Sequence, residues 1–318
     1  MVIIFPAAGE IKPVTSFFDT LSNFRSLGEV LAIGSGIVWA AAVILYRVSG
    51  RTVHPLALNL FKNVVALLFM VPTMLLLGEA VFPPVPAKSI GILLVSGFLG
   101  IAVSDTLFFY SLNKLGAGLV AIVDCFYCPF VIGLSFVLLG ERMSAWQLTG
   151  VALIIAAVLA ASRSDSGQRI TGKDLAVGLI LGVLSQFFVA VGIVIAKPVL
   201  ATSSVVWATL VRIVGGTVPL LLGVPLLRGR RALLKPLFKP ANWKAMVPAS
   251  FFGSYLSLIL WMGGMKYAKA SVAAALNQLN TIFIVILAIF FLKEKLTGWK
   301  SLAVALAIAG ACLAASPF

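Results

Sequence analysis

Phe98-Leu-Gly-Ile-Ala-Val-Ser-Asp105 returns as Phe251-Phe-Gly-Ser-Tyr-Leu-Ser-Leu258. The two stretches lie 153 residues apart (98 to 251), and the register holds without a gap from Gly97–Ser162 onto Ser250–Ala315. Phe98, Gly100, Ser104, Leu107, Ala117, Ala121, Phe130, Leu134, Leu139, Glu141 and Trp146 recur as Phe251, Gly253, Ser257, Leu260, Ala270, Ala274, Phe283, Leu287, Leu292, Glu294 and Trp299. About a quarter of the aligned positions are identical, and most others exchange one apolar residue for another, the mark of an internal repeat.

Composition fixes the environment of that repeat. The chain is 61% hydrophobic and 11% charged, with a mean hydropathy of +1.12, which excludes an ordinary water-soluble globule. Apolar runs recur near 28–46, 56–77, 89–112, 117–139, 144–162, 174–196, 204–227, 245–265, 270–292 and 299–316. A helix of about 18 or more such residues spans a hydrocarbon core of roughly 30 Å. The expected fold is therefore all-α and integral to the membrane, with ten transmembrane helices, five in each repeat. The expected units are an N-terminal peripheral segment (1–27), a first repeat (28–162) and a second (174–316). The N-terminus lacks the basic lead of a cleaved signal, and an interfacial helix around Phe17–Phe24 is the alternative to a plain tail.

The formal net charge of +14 does not indicate nucleic acid. The basic residues sit in short connections, where they meet lipid headgroups and set orientation. Odd-numbered connections hold fifteen Lys and Arg; even-numbered ones with the N-terminus hold seven. That bias puts both termini outside. Nothing in the pattern sets an oligomeric state.

Catalysis and metal binding find no support. Walker, H-E-x-x-H and G-x-S-x-G patterns are absent, and Asp105 and Asp124 lack the settings of intramembrane aspartyl proteases. Cys125-Phe-Tyr-Cys128 falls inside an apolar run, and His54 is the sole histidine, so these thiols read as packing groups. No cofactor is expected.

Duplicated halves in a membrane chain point to transport, with the site at their interface. Leu139-Gly-Glu141-Arg-Met-Ser-Ala-Trp146-Gln-Leu-Thr-Gly150 and its echo Leu292-Lys-Glu294-Lys-Leu-Thr-Gly-Trp299, with Pro129 and the basic pair Lys62 and Arg212, resemble the drug/metabolite transporter superfamily, EamA type. That resemblance covers residues 28–316. It implies a ten-helix inverted repeat, commonly an exporter of amino acids or other small metabolites in a bacterial inner membrane. It also implies both termini in the cytoplasm, opposite to the charge bias.

An ionisable group inside a span costs at least about 2.5–3.5 kcal/mol and by default faces the protein interior. Lys62, Asp105, Asp124 and Arg212 qualify. Asn59, Lys62 and Asn63 share a helix face, as do Thr209 and Arg212. Asp124 and Tyr127 are mirrored by Asn277 and Asn280, with Gln278 beside them. The candidate substrate site is thus Asp105, Asp124, Lys62, Arg212, Asn277, Gln278, Asn280, Tyr127 and Trp39. Tyr110, Tyr255 and Trp261 are further candidates for an aromatic wall. The competing reading is that the four charges neutralise one another in buried pairs. An intramembrane aspartate also suits proton coupling or a substrate amine. Ser96, Gly100 and Ser104, mirrored by Ala249, Gly253 and Ser257, read as helix-packing stripes. Pro72, Gly215-Gly216 and Pro219 are the expected bending points.

The expected activity is secondary active export of amino acids or similar small polar metabolites, by alternating access. The alternatives are a phosphorylated-metabolite or lipid-linked sugar carrier, with Lys62 and Arg212 on the phosphate, or a non-transporting membrane scaffold.

Overall fold

A computed structural model describes residues 26–140, 144–162, 171–294 and 297–315. The expected segment 1–27 and its interfacial helix lie almost wholly outside these residues, as does Glu141.

Among the described residues every regular element is helical. We number the main helices α1 (Leu27–Ser49), α2 (Pro55–Leu76), α3 (Ala87–Leu115), α4 (Ala117–Leu139), α5 (Ala145–Ser162), α6 (Gly172–Thr202), α7 (Val205–Leu226), α8 (Pro240–Tyr267), α9 (Ala270–Leu292) and α10 (Gly298–Ala315). All but α5 and α10 are long and apolar enough to cross a membrane; the apolar stretches of those two, Leu148–Ala157 and Gly298–Gly310, are shorter. Leu68, Leu76 and Phe290 stand 68%, 87% and 75% exposed. Large apolar side chains in that number on an outer surface suit lipid, not water.

Helix starts follow local chemistry. Pro55 occupies the first turn of α2, and the His54 ring caps it by accepting from the Leu56 amide at 3.3 Å. Ser204 caps α7 through Trp207 N–H, and Thr171 caps α6 through Asp174 N–H. A cap oxygen satisfies an amide that the helix itself leaves open.

Two irregularities obey the repeat. α3 widens into a π-turn at Phe98–Val103, and α8 does the same at Phe251–Leu256. α4 breaks at Cys125-Phe126, and α9 at Gln278-Leu279. Each second-copy feature lies 153 residues after the first. The residues expected as bending points do not interrupt their helices. Pro72 and Pro219 sit inside unbroken helices, and Gly215 and Gly216 serve close packing. A Cβ there would come within 2.4 Å of Leu94 O and 2.6 Å of Ile101 Cβ.

The first helix of each copy packs on the other copy. α1 lies against α8 and α9, and α6 against α3 and α4. A reciprocal serine clasp closes each seam. Ser35 Oγ donates to Ser257 O at 3.0 Å and Ser257 Oγ to Ser35 O at 3.2 Å. Ser104 Oγ donates to Ser185 O at 2.9 Å and Ser185 Oγ to Ser104 O at 3.0 Å. The small-residue stripes are therefore packing surfaces with hydrogen bonds built in. Each of the two main apolar clusters draws side chains from both copies.

Candidate functional site

Between the two copies lies a partly open cavity of about 130 Å³. All nine candidate residues line it: Lys62, Asp105, Asp124, Tyr127, Trp39, Arg212, Asn277, Gln278 and Asn280. Trp261 joins them. Tyr110 and Tyr255 do not: the Tyr110 hydroxyl lies 3.2 Å from His54 Nε2, and that of Tyr255 lies 2.6 Å from Thr73 Oγ1.

The first copy supplies a closed ion pair. Lys62 Nζ is 2.7 Å from Asp105 Oδ2 and donates to Asn63 Oδ1 at 2.7 Å. Asn59 is turned away from the cavity. Its amide donates to Ile101 O, Ala102 O and Thr106 Oγ1 at 2.9–3.3 Å. Those carbonyls belong to the π-turn, whose altered hydrogen-bond register the amide engages. The polar face of α2 thus divides into a cavity cation and a brace for α3.

The second copy is arranged differently. Arg212 is 1% exposed, and its Nη1 donates to Met262 Sδ at 2.7 Å. The guanidinium carbon stands 5.1 Å from the centroid of the Trp261 ring, within the range of a cation–π contact. Arg212 Nε has no hydrogen-bond partner among the described residues, and neither do Asn277 Oδ1 and Gln278 Oε1. Buried polar atoms are normally satisfied. These three belong to residues that line one cavity.

Asp124 sits at the break in α4, 5% exposed. Gln186 Nε2 donates to its Oδ1 at 2.6 Å, and Gln278 Nε2 to its backbone oxygen at 3.3 Å. The four charges therefore do not form two buried pairs. One pair is closed, and Arg212 and Asp124 each lack an ionic partner among the described residues. Gln186 escaped the sequence reading because α1 offers no matching amide. At the corresponding place, 150 residues earlier, stands Gly36. The signal was a lone amide in an apolar run. Cys125 and Cys128 are buried free thiols, and Cys125 Sγ lies 3.3 Å from Thr281 Oγ1.

The Leu-x-Glu motif acts beside the site, not in it. The Glu294 carboxylate accepts from Ala117 N–H at 2.9 Å and Gly118 N–H at 3.1 Å, with Lys300 Nζ 3.7 Å away. It thus caps the start of α4 across the two copies. Gly116, with φ of +82°, makes the tight entry that brings those amides onto it.

No curated protein matches the chain by sequence. A solved structure described only as the crystal structure of a protein superposes with a TM-score of 0.68. It covers 91% of this chain and 96% of its own at 18% identity, and so speaks to the fold alone. The profile of the EamA-like transporter family matches residues 26–163 and again 176–316. With a match across both copies and a buried polar cavity between them, this chain belongs to the EamA-like transporter family.

Proposed function

We propose that the protein is a secondary active exporter of amino acids or similar small polar metabolites, working by alternating access between two five-helix inverted repeats. In this reading α5 and α10 complete ten spans. The observation that carries it is the convergence of both repeats on one cavity holding an unpaired buried cation, an unpaired buried carboxylate and open amide oxygens. Such groups are costly in a membrane unless a solute or water meets them. The serine-clasped seams, α1 on α8 and α6 on α3, are the surfaces that slide as one repeat rocks against the other. Asp124, held by an amide and not by a cation, is the group available to exchange a proton for a substrate amine.

The test is uptake into proteoliposomes under an imposed proton gradient, with radiolabelled amino acids as probes. Wild type is expected to move at least one of them, and Asp124→Asn to lower the rate at least tenfold while its Tm stays within about 2 °C of wild type. Equal rates in the two proteins overturn the role of Asp124. No flux of any amino acid above empty liposomes overturns the substrate class.

A further inference from the structure

The two copies differ where a counter-ion is needed. Lys62 and Arg212 occupy corresponding places on α2 and α7, 150 residues apart. Lys62 has Asp105 at 2.7 Å. The residue corresponding to Asp105 in the second copy, 153 further on, is Leu258, which lines the same cavity. Arg212 accordingly faces sulfur, an indole ring and the cavity, with no carboxylate oxygen within 4.0 Å among the described residues. Asp124 shows the reverse pattern: a carboxylate without a cation, matched in the second copy by the neutral Asn277. The cavity is thus short of one anion on the second-repeat side and one cation on the first-repeat side.

We propose that the substrate supplies both charges: its carboxylate is the counter-ion of Arg212, replacing the one Leu258 does not provide, and its ammonium group rests on Asp124. The open oxygens of Asn277 and Gln278 accept the remaining N–H bonds. The guanidinium presents parallel donors suited to a carboxylate. A phosphate dianion fits less well, because Lys62 is already held by Asp105 and Asn63, leaving a single cation for two charges. This assignment rests on the cavity being the transport site, and it narrows the substrate to a zwitterion.

The experiment is thermal shift on the purified full chain in detergent, with the twenty L-amino acids as probes. The best stabiliser is then compared with its decarboxylated amine and its deaminated carboxylate. Three variants run in parallel: Leu258→Asp, Arg212→Gln and Asp124→Asn. The expected result is that at least one amino acid stabilises wild type and that both truncated analogues bind at least tenfold more weakly. Leu258→Asp should raise the Tm of the ligand-free protein by about 2 °C or more and weaken amino-acid binding at least tenfold, its carboxylate having taken the guanidinium. If that variant does not fold, Arg212→Gln decides. It removes an unpaired buried charge, should melt no lower than wild type, and should lose the amino acid. Asp124→Asn should erase the difference between the amino acid and its deaminated carboxylate.

An amine that binds within twofold of its parent amino acid overturns the carboxylate assignment. So does amino-acid binding unchanged in Leu258→Asp or Arg212→Gln. The absence of a shift with any of the twenty amino acids overturns the zwitterion. Proteoliposome flux of the amine separates the two levels. Flux with no carboxylate requirement leaves transport standing and removes this inference, whereas no flux of amine or amino acid removes both.

Discussion

Residues inside the membrane carried most of the legible information, because each charge there is expensive enough to need a reason. Lys62, Asp105, Asp124 and Arg212 were readable for that cause, and the structure brings all four to one cavity. Their pairing was not readable, since it depends on how α2 meets α3. Asp105 answers Lys62 at 2.7 Å while Arg212 is left to Trp261 and Met262. Asp105→Asn should therefore lower stability by about 2–4 kcal/mol by stranding a buried ammonium group, and the double variant Lys62→Met/Asp105→Leu should recover most of it. Chemical denaturation in detergent measures both. A second residue-scale test concerns His54, which lies between the spans. Partial burial pushes its imidazole below the ordinary range, and its Nδ1 must be free of a proton to cap α2. The stabilisation it gives is present above about pH 6.5 and is lost as the pH falls toward the lower folded value. The Tm difference between wild type and His54→Asn should shrink across that window; a constant difference would contradict the cap.

At the scale of elements, helix extents were well read and helix interruptions were not. Apolar runs announce spans directly, so the expected 117–139 and 270–292 match α4 and α9. The π-turns at Phe98–Val103 and Phe251–Leu256 contain no proline and depend on partners such as Asn59, 42 residues before Ile101. Proline pointed to Pro72 and Pro219, where the helices continue without a break. Glu294 is a clearer case of a motif whose work lies across the molecule. Glu294→Ala should cost about 1–2 kcal/mol through loss of the α4 cap, and Glu294→Gln should retain part of it. A Glu294→Ala protein that melts with wild type would mean the amides of Ala117 and Gly118 find water instead.

At the scale of the whole molecule, the repeat foretold the symmetry but not the exchange of first helices. Alignment says that α1 resembles α6; it does not say that α1 packs on α8 and α9. Because of that exchange neither copy can close its own core. Residues 1–165 or 166–318 expressed alone should give no monodisperse, cooperatively melting species, while co-expression of the two should restore one. Size-exclusion profiles of fluorescent fusions are the readout. Independent folding of either half would refute the interlocked core.

The exchange also sets a timetable. Ser35 meets Ser257 across 222 residues. At about 5–20 residues per second, the ribosome needs on the order of 10–45 s to make the partner after α1 emerges. For that interval α1 waits in the bilayer with its serine hydroxyl and much of its packing face turned to lipid, whereas α6 is made after the α3 and α4 that receive it. The wait of α1 for its partner therefore ends only when α8 arrives.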